Sequence, residues 1–501
     1  MKPRPPSLFA SLTVLAVMVG LILFAVFLFG QEVASGPLQI SITLATLFAL
    51  AVAYGYGHRG ALISEAIGKN INSALGTIFI LVAIGAVIGA LYLSGTVAAF
   101  VYYGVELLSP RFFYIAVFAL ASVLSILTGS SFTTVGAIGV AFVGLASLMG
   151  VSPAITAGAA VSGAFLGDKV AKISDTLVLT TAVVGGVSKD EHARSVIRTA
   201  IPTWIISAAL YLVLGFTGPV SGGAVDLSQA KETLSGAFNI TPLAFLPIVM
   251  IFVLSSLRLS GFISLMVSAI FGVVLAAFIQ SDLIVRLAAS PALNYPEQVA
   301  RVGISTLAHG FALDSGVDKL DRLFSGGGCW GMFETIWLIL MATSFGAVVD
   351  ATGMIQRVIA PVIRWSKTSG RLMVATALSS IGCNIFTADP YVSIVLTGKM
   401  YRQEYMRRQL KPVVLSTVIA DSGTIFSPLV PWNVHGAFVA GATGIGVLSF
   451  APYAFMCYLS VVITMVLGYL TIRRDKLPAD ADAAAIYGKK PRHLPEPKLT
   501  A

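Results

Sequence analysis

The chain has 501 residues, 56% hydrophobic and only 11% charged, where a soluble globular protein has about 25% charged residues. Apolar stretches of membrane-spanning length recur from end to end, which excludes a soluble fold and predicts an all-α polytopic membrane protein; a strand-built barrel is excluded because Leu12 to Phe29 is continuously apolar, not alternating. The formal charge of +9 does not argue for nucleic acid, since the Lys and Arg sit in short loops between spans, the positive-inside pattern.

In chain order, residues 1–73 read as N-terminal transmembrane helices. Lys2 and Arg4 precede a span at Leu8–Phe29 whose apolar run is too long for a typical signal peptide, so a retained helix is expected. A second span, Leu38–Tyr56, returns to His58, Arg59 and Lys69. Residues 74–200 form a first repeat unit. It holds a span at about Ala74–Leu93 and a segment, Val97–Leu108, too short to cross. The arms Phe112–Leu127 and Thr133–Leu148 flank the tip Thr128-Gly129-Ser130-Ser131, which predicts a re-entrant hairpin. Pro153–Leu166 and Thr176–Val187 follow as a helix broken at Gly167–Asp175.

Residues 201–332 carry central helices and, at 281–328, a long polar connection ending in a flexible Gly326-Gly327-Gly328 turn; that run lacks the Lys-Ser/Thr of a phosphate loop. Residues 333–447 form a second unit, with a hairpin tip at Thr387–Tyr391 and a helix broken around Ser427–Asn433. A last span occupies 448–476, ending in Arg473, Arg474 and Lys476. The tail, 477–501, is rich in Ala, Asp, Lys and Pro and reads as disordered. Cys329, Cys383 and Cys457 have no metal-type spacing, Cys383 and Cys457 read as core residues, and no disulfide is argued.

The two units match. Sliding one onto the other by 259 residues places Thr128 on Thr387, Ser130 on Asp389, Pro153 on Pro412, Asp168 on Ser427 and Ser174 on Asn433, with no gap. Charge, Gly and Pro inside apolar spans, at corresponding places in two halves, mark the binding site of a secondary transporter. The loop 149–152 after the first hairpin has no charge, whereas Lys399–Lys411 after the second has five basic residues; after the broken helices the asymmetry reverses. The units therefore read as inverted-topology repeats, with both chain termini cytoplasmic.

A broken helix must face protein or a wet cavity. It brings a helix C-terminus, favouring cations, close to an N-terminus, favouring anions. Thr128, Ser130, Ser131, Ser174, Ser422 and Ser427, the carboxylates of Asp168, Asp175, Asp389 and Asp421, and the Asn433 amide are candidate ion or substrate ligands. Ser130, Ser131, Asp168, Asp421 and Asn433 are the candidates for sodium. One carboxylate that holds either sodium or a proton, never both, is the simplest basis for cation/proton exchange. Each intramembrane charge costs about 2.5–3.5 kcal/mol, so Asp168, Lys169, Lys172 and Asp175 have to pair or line a wet cavity. Structural pairs of Lys172 with Asp168 or Asp175 at helical spacing compete with a functional Lys172. Asp350 stands at a span end and stays open between the two roles. His435 reads as a packed hydrogen-bonding residue in preference to a ligand or proton carrier. No catalytic Ser/His/Asp or His-Glu-His arrangement is visible, nor a pore filter, so neither an enzyme nor a channel is expected.

At TGSSFTTVGAIGVAF (128–142), GDK (167–169), SDT (174–176), ADPY (388–391), DSGT (421–424) and SPLVPWN (427–433), the chain resembles the NhaC-type sodium/proton antiporters over about residues 70–470. The resemblance implies two re-entrant hairpins, two broken helices and an elevator-type motion, as in dicarboxylate transporters of the same ion-transporter superfamily. It also implies sodium and protons as cargo with no cofactor. The expected partners are the lipid bilayer of the cytoplasmic membrane and small ions, with a second copy of the chain as a further candidate. The family includes malate/lactate antiporters. Where it commonly has a Ser-Pro-Leu-like stretch this chain has Val170-Ala171-Lys172-Ile173, Leu177-Val178 follows SDT where an Asn is common, and Ala420 precedes DSGT where an acid is common. These changes remove polar ligands and add a cation. The alternative cargo is therefore a small carboxylate or amino acid, held by Lys172 or a helix N-terminus.

Overall fold

The structure, a computed structural model, describes residues 4–218, 227–290, 292–314, 321, 324–471, 476–478 and 481–488. Among these the regular elements are helical. Nine helices are long and apolar enough to cross a membrane, or up to eleven if each of two sharply bent pairs is one span.

In chain order, α1 (Leu8–Phe29), α2 (Pro37–Gly55), α3 (Gly60–Leu93) and α4 (Thr96–Leu107) lead into the first hairpin, α5 (Phe113–Thr128) and α6 (Ser131–Leu148). α7 (Pro153–Val170) and α8 (Asp175–Val184) are separated by a non-helical stretch at 171–174, and α9 (Lys189–Thr217) follows. The middle holds α10 (Leu227–Ala237), α11 (Leu246–Ser256), α12 (Gly261–Ile279), α13 (Ser281–Ala288) and α14 (Tyr295–His309). Then come α15 (Phe333–Ala351), α16 (Met354–Trp365), the second hairpin α17 (Ser369–Thr387) and α18 (Pro390–Arg407), and α19 (Pro412–Ile419). A π-helical turn at Ala420–Thr424 and a 3-10 turn at Ser427–Leu429 separate α19 from α20 (Val434–Thr443). The chain closes with α21 (Val447–Phe450), α22 (Phe455–Thr471) and α23 (Ala483–Ile486). The basic end at Arg473 and Arg474 lies outside the described residues.

The 259-residue offset reappears in the element boundaries. α5 ends at Thr128 and α17 at Thr387; α6 opens at Ser131 and α18 at Pro390; α7 opens at Pro153 and α19 at Pro412; α8 opens at Asp175 and α20 at Val434. The tips share their backbone. Gly129 (φ 68°) and Ala388 (φ 57°) are both left-handed, and Ser130 and Asp389 are both extended N-caps. The packing exchanges in the same way: α8 lies on α18 and α20 on α6, α9 on α19 and α22 on α7, α12 on α3 and α2 on α15. Residue 74, the expected start of the first unit, falls inside α3, which runs unbroken from Gly60.

The close seam of the first unit is between α5 and α7. Gly163 and Gly167, four apart on one face of α7, let the backbones meet in the way small-residue pairs do in membranes. A Cβ on Gly167 would lie 2.1 Å from the Ser125 carbonyl oxygen. Ser125 Oγ donates to the Gly163 carbonyl at 2.8 Å and accepts from the Gly167 N–H at 3.1 Å, so the serine splices the two helices.

Three expectations need correction. The 281–328 connection carries two helices, α13 and α14, and α14 packs on α3 because its Val302, Gly303 and Thr306 face inward. The Gly326–Gly328 turn is docked. All three glycines have positive φ, and the Gly328 N–H donates to the Gly85 carbonyl on α3 at 2.6 Å. The tail holds a structured piece: Asp482 caps α23, and Tyr487, 1% exposed, donates from its hydroxyl to the Leu410 carbonyl at 2.9 Å. Its backbone rests on Gly185 and Gly186, both left-handed, where any side chain would collide with the Tyr487 and Ile486 carbonyls. The apolar bulk of Tyr487 anchors a segment whose composition alone reads as disordered. Cys383 and Cys457 are fully buried and free.

Candidate functional site

The first hairpin tip and the first helix break close on each other. α5 ends because Gly129 takes the left-handed turn that a Cβ would disfavour. Ser130 then caps α6, accepting from the Thr133 N–H at 3.2 Å. This places the start of α6 against the end of α7. The Ser131 N–H donates to Asp168 Oδ1 at 2.9 Å, and the Ser131 hydroxyl donates to Oδ2. A buried carboxylate held by a hydroxyl and a helix-start N–H is the charge-assisted arrangement that fixes such a group most firmly. Past the break, the Thr176 hydroxyl donates to the Asp168 carbonyl at 2.9 Å; its proton used there, it accepts from Ser174 Oγ at 2.9 Å.

A cavity of about 1270 Å³ opens beside this knot. Thr128, Ser130, Asp168, Lys172, Ser174, Asp175 and Thr176 line it from the tip and the break, Tyr391 from α18, Ser73–Ile80 from α3, and Ser255–Phe262 from the α11–α12 junction. Its charged lining is mixed: Asp168 and Asp175 with Lys172, Lys189 and Arg258. Lys172 forms its ion pair with Asp190, not with Asp168 or Asp175. The reason is local: α7 stops at Val170, so Lys172 is off the helix and the i,i+4 spacing no longer applies.

The residue after Asp168 faces the other way. Lys169 ion-pairs with Asp421, both side chains fully buried. Asp421 also accepts from Ser460 Oγ and Thr199 Oγ1, each at 2.9 Å, and from Thr464 Oγ1. Lys169 also donates to Ser460 Oγ at 2.8 Å. Every lone-pair direction of the carboxylate is thus engaged, the condition under which a buried pair is tolerable. Asp421 sits in the π-helical turn, a device that recurs at functional sites.

The second tip is knit differently. Asp389 caps α18, accepting from the Tyr391 and Val392 N–H groups at 2.7 and 3.0 Å. The Ala388 carbonyl accepts from the Val434 N–H at 2.9 Å, joining tip to break. Asn433 donates to the Asn384 side chain at 3.1 Å, and Asn384 donates to the Gly423 carbonyl at 2.7 Å. Ser422 donates to the Val418 carbonyl at 2.6 Å. Ser427 donates to the Thr424 carbonyl, so His435 Nδ1 donates to Ser427 Oγ, and the ring packs between Phe132 and Phe165. Asp350 accepts from Gln356 at 2.9 Å.

Of the five sodium candidates, the structure brings together Ser130, Ser131 and Asp168. No hydrogen bond joins Asp421 or Asn433 to them, and neither lines the cavity. Among the described residues no group of three or more His, Cys, Asp or Glu forms a metal cluster. Sequence reasoning passed over Thr199, Ser460, Thr464 and Asn384. Their signal was a polar side chain inside an apolar span, which is weak for hydroxyls because they can bond their own helix.

Residues 177–472 match the model of the Na+/H+ antiporter family. The chain belongs to this family. It is 32% identical over 462 residues, 92% of this chain and 95% of the relative, to the Na(+)/H(+) antiporter NhaC of Alkalihalophilus pseudofirmus. It is 28% identical over 470 residues (93% and 95%) to the malate-2H(+)/Na(+)-lactate antiporter of Bacillus subtilis. It is 32% identical over 469 residues (93% and 92%) to the arginine/ornithine antiporter ArcD of Halobacterium salinarum. In this antiporter-family chain the matched region takes in α8 from Leu177 on, the second hairpin and the π-helical turn, whereas Asp168, Lys169 and Asp175 precede it.

Proposed function

We propose that the chain is a secondary active transporter of the cytoplasmic membrane that exchanges sodium for protons by alternating access. The observation that carries this is Asp168: a buried carboxylate, fixed by Ser131 at a hairpin tip, bordering a hydroxyl-rich cavity at a helix break. Oxygen donors of this kind suit a hard monovalent cation. Because desolvation disfavours an empty charged carboxylate, proton and sodium compete for one site.

Family membership and the multi-span architecture support the membrane setting. The constant offset, the shared tip geometry and the exchanged packing support an inverted-repeat transporter, and the loop charges support cytoplasmic termini. In this reading the hairpins, α7–α8 and α19–α20 move together as an elevator against the remaining helices. The test is purified protein in liposomes with an imposed sodium gradient and a trapped pH dye. Wild type acidifies or alkalinises the lumen with sodium, and Asp168→Asn does not. Sodium-independent pH movement in both sinks the reading.

A second reading keeps the site and changes the cargo. Lys172, Lys189 and Arg258 line, together with Asp168 and Asp175, a cavity far larger than a sodium ion. That lining suits a small carboxylate or amino acid, as do the names of two relatives. Lys172→Ala separates the readings: it spares cation exchange and cripples anion transport.

A further inference from the structure

His192 is fully buried in the first turn of α9 and uses one ring nitrogen only. Nδ1 lies 2.9 Å from Ser416 Oγ on α19. The Ser416 proton is already engaged, because that hydroxyl donates to the Val413 carbonyl at 2.9 Å. The ring therefore donates from Nδ1, and Nε2 is left with a lone pair and no protein partner. A buried, unused proton acceptor in a membrane bundle is a functional feature by default.

Its surroundings form a row. Three side-chain contacts fasten α9 to α19 and its π turn: His192 to Ser416, Thr417 Oγ1 donating to Ser195 Oγ at 2.9 Å, and Thr199 donating to Asp421 at 2.9 Å. Residues 192, 195 and 199 share one face of the helix, and about 10.5 Å of rise separates the first from the last. A pocket of about 430 Å³, lined by Glu191, Arg194, Ser195, Arg198 and Lys411 among others, borders the row at Ser195. At the Thr199 end stands the Asp421–Lys169 pair. Of the residues in this row, none lines the cavity beside Asp168.

We propose that His192 is a proton-relay residue, the station by which protons pass between the α9–α19 pocket and the buried Asp421–Lys169 pair, on a route separate from the cavity that holds Asp168. The step is a proton transfer alone. Nε2 takes a proton arriving from the pocket side to give an imidazolium and releases the same proton along the hydroxyls of the row or back. The row of hydroxyls supplies the intervening donors and acceptors. The inference rests on sodium/proton exchange being the activity.

The test is the pH profile of sodium-driven proton flux in liposomes for wild type, His192→Gln and Ser416→Ala. His192→Gln keeps size and hydrogen bonding to Ser416 but cannot titrate. It should lower the maximal flux at least tenfold and flatten its pH dependence, with the half-saturating sodium concentration moved less than twofold. Ser416→Ala, which frees Nδ1, should shift the pH optimum while retaining flux; it is the deciding variant if His192→Gln does not fold. A wild-type profile in either folded variant overturns the relay and leaves exchange intact. Absence of sodium-driven flux in the wild type overturns both.

Discussion

Lys169 and Asp421 form an ion pair with neither side chain exposed, and they tie the end of α7 to the π-helical turn before α20. The pair joins α7 to the segment that continues α19. Lys169 directly follows Asp168, so one short segment of α7 presents a carboxylate to the cavity and an ammonium to the opposite unit.

Breaking that pair by removing one partner leaves a buried charge. Asp421→Asn should destabilise the protein by about 3–5 kcal/mol. The double variant Lys169→Met/Asp421→Leu should recover a good part of that loss. Thermal or denaturant unfolding in detergent measures both. A single variant as stable as wild type would mean that Lys169 finds another partner.

Sodium and protons should compete at Asp168. A proton-filled carboxylate cannot hold sodium, so the half-saturating sodium concentration rises as pH falls, by up to about tenfold per unit for one-for-one competition. Sodium binding in weak buffer should release protons. Asp168→Asn abolishes the release, and Ser131→Ala weakens sodium binding about tenfold by removing one charge-assisted donor. Proton release that persists in Asp168→Asn would move the exchange site elsewhere.

The hairpin tips offer a contrast in backbone. A Cβ on Gly129 would lie 2.5 Å from Ile173 Cγ1 at a left-handed φ, so Gly129→Ala should destabilise the tip by about 1–3 kcal/mol and reduce transport. Ala388 already bears the left-handed strain, and Ala388→Gly should raise stability by about 0.5–1 kcal/mol. Paired melting curves decide both signs.

Inverted topology has its own signature. A cysteine placed at Ser152 should react with an impermeant reagent from outside, and one at Gln409 only from inside. Labelling of both from one face refutes the inversion.

The docked tail can be tested by truncation after Leu477. Loss of Tyr487 bares Gly185 and Gly186 and frees the Arg402 guanidinium that donates to the Tyr487 carbonyl. The expected outcome is a lower melting temperature with exchange retained. An unchanged melting temperature would mean that the segment contributes nothing to stability.

The sequence by itself determined the helical membrane character, the start and end of α1, and the places where α5 and α17 stop. Each of these follows from local chemistry: long apolar runs, a tip of Gly and Ser, a Pro or Ser that opens a helix. The turns that the 259-residue match pairs share a backbone conformation in the structure, because caps and left-handed residues are set within a few positions. Tertiary structure alone decided the partners. Lys172 left its helical neighbours for Asp190, which no spacing rule could anticipate once α7 ended at Val170. Lys169 met Asp421 across 252 positions, and Thr199, Ser460 and Thr464 gathered on the same carboxylate. A buried charge selects whatever donors the packing of distant helices brings within reach, and that packing is a property of the whole bundle.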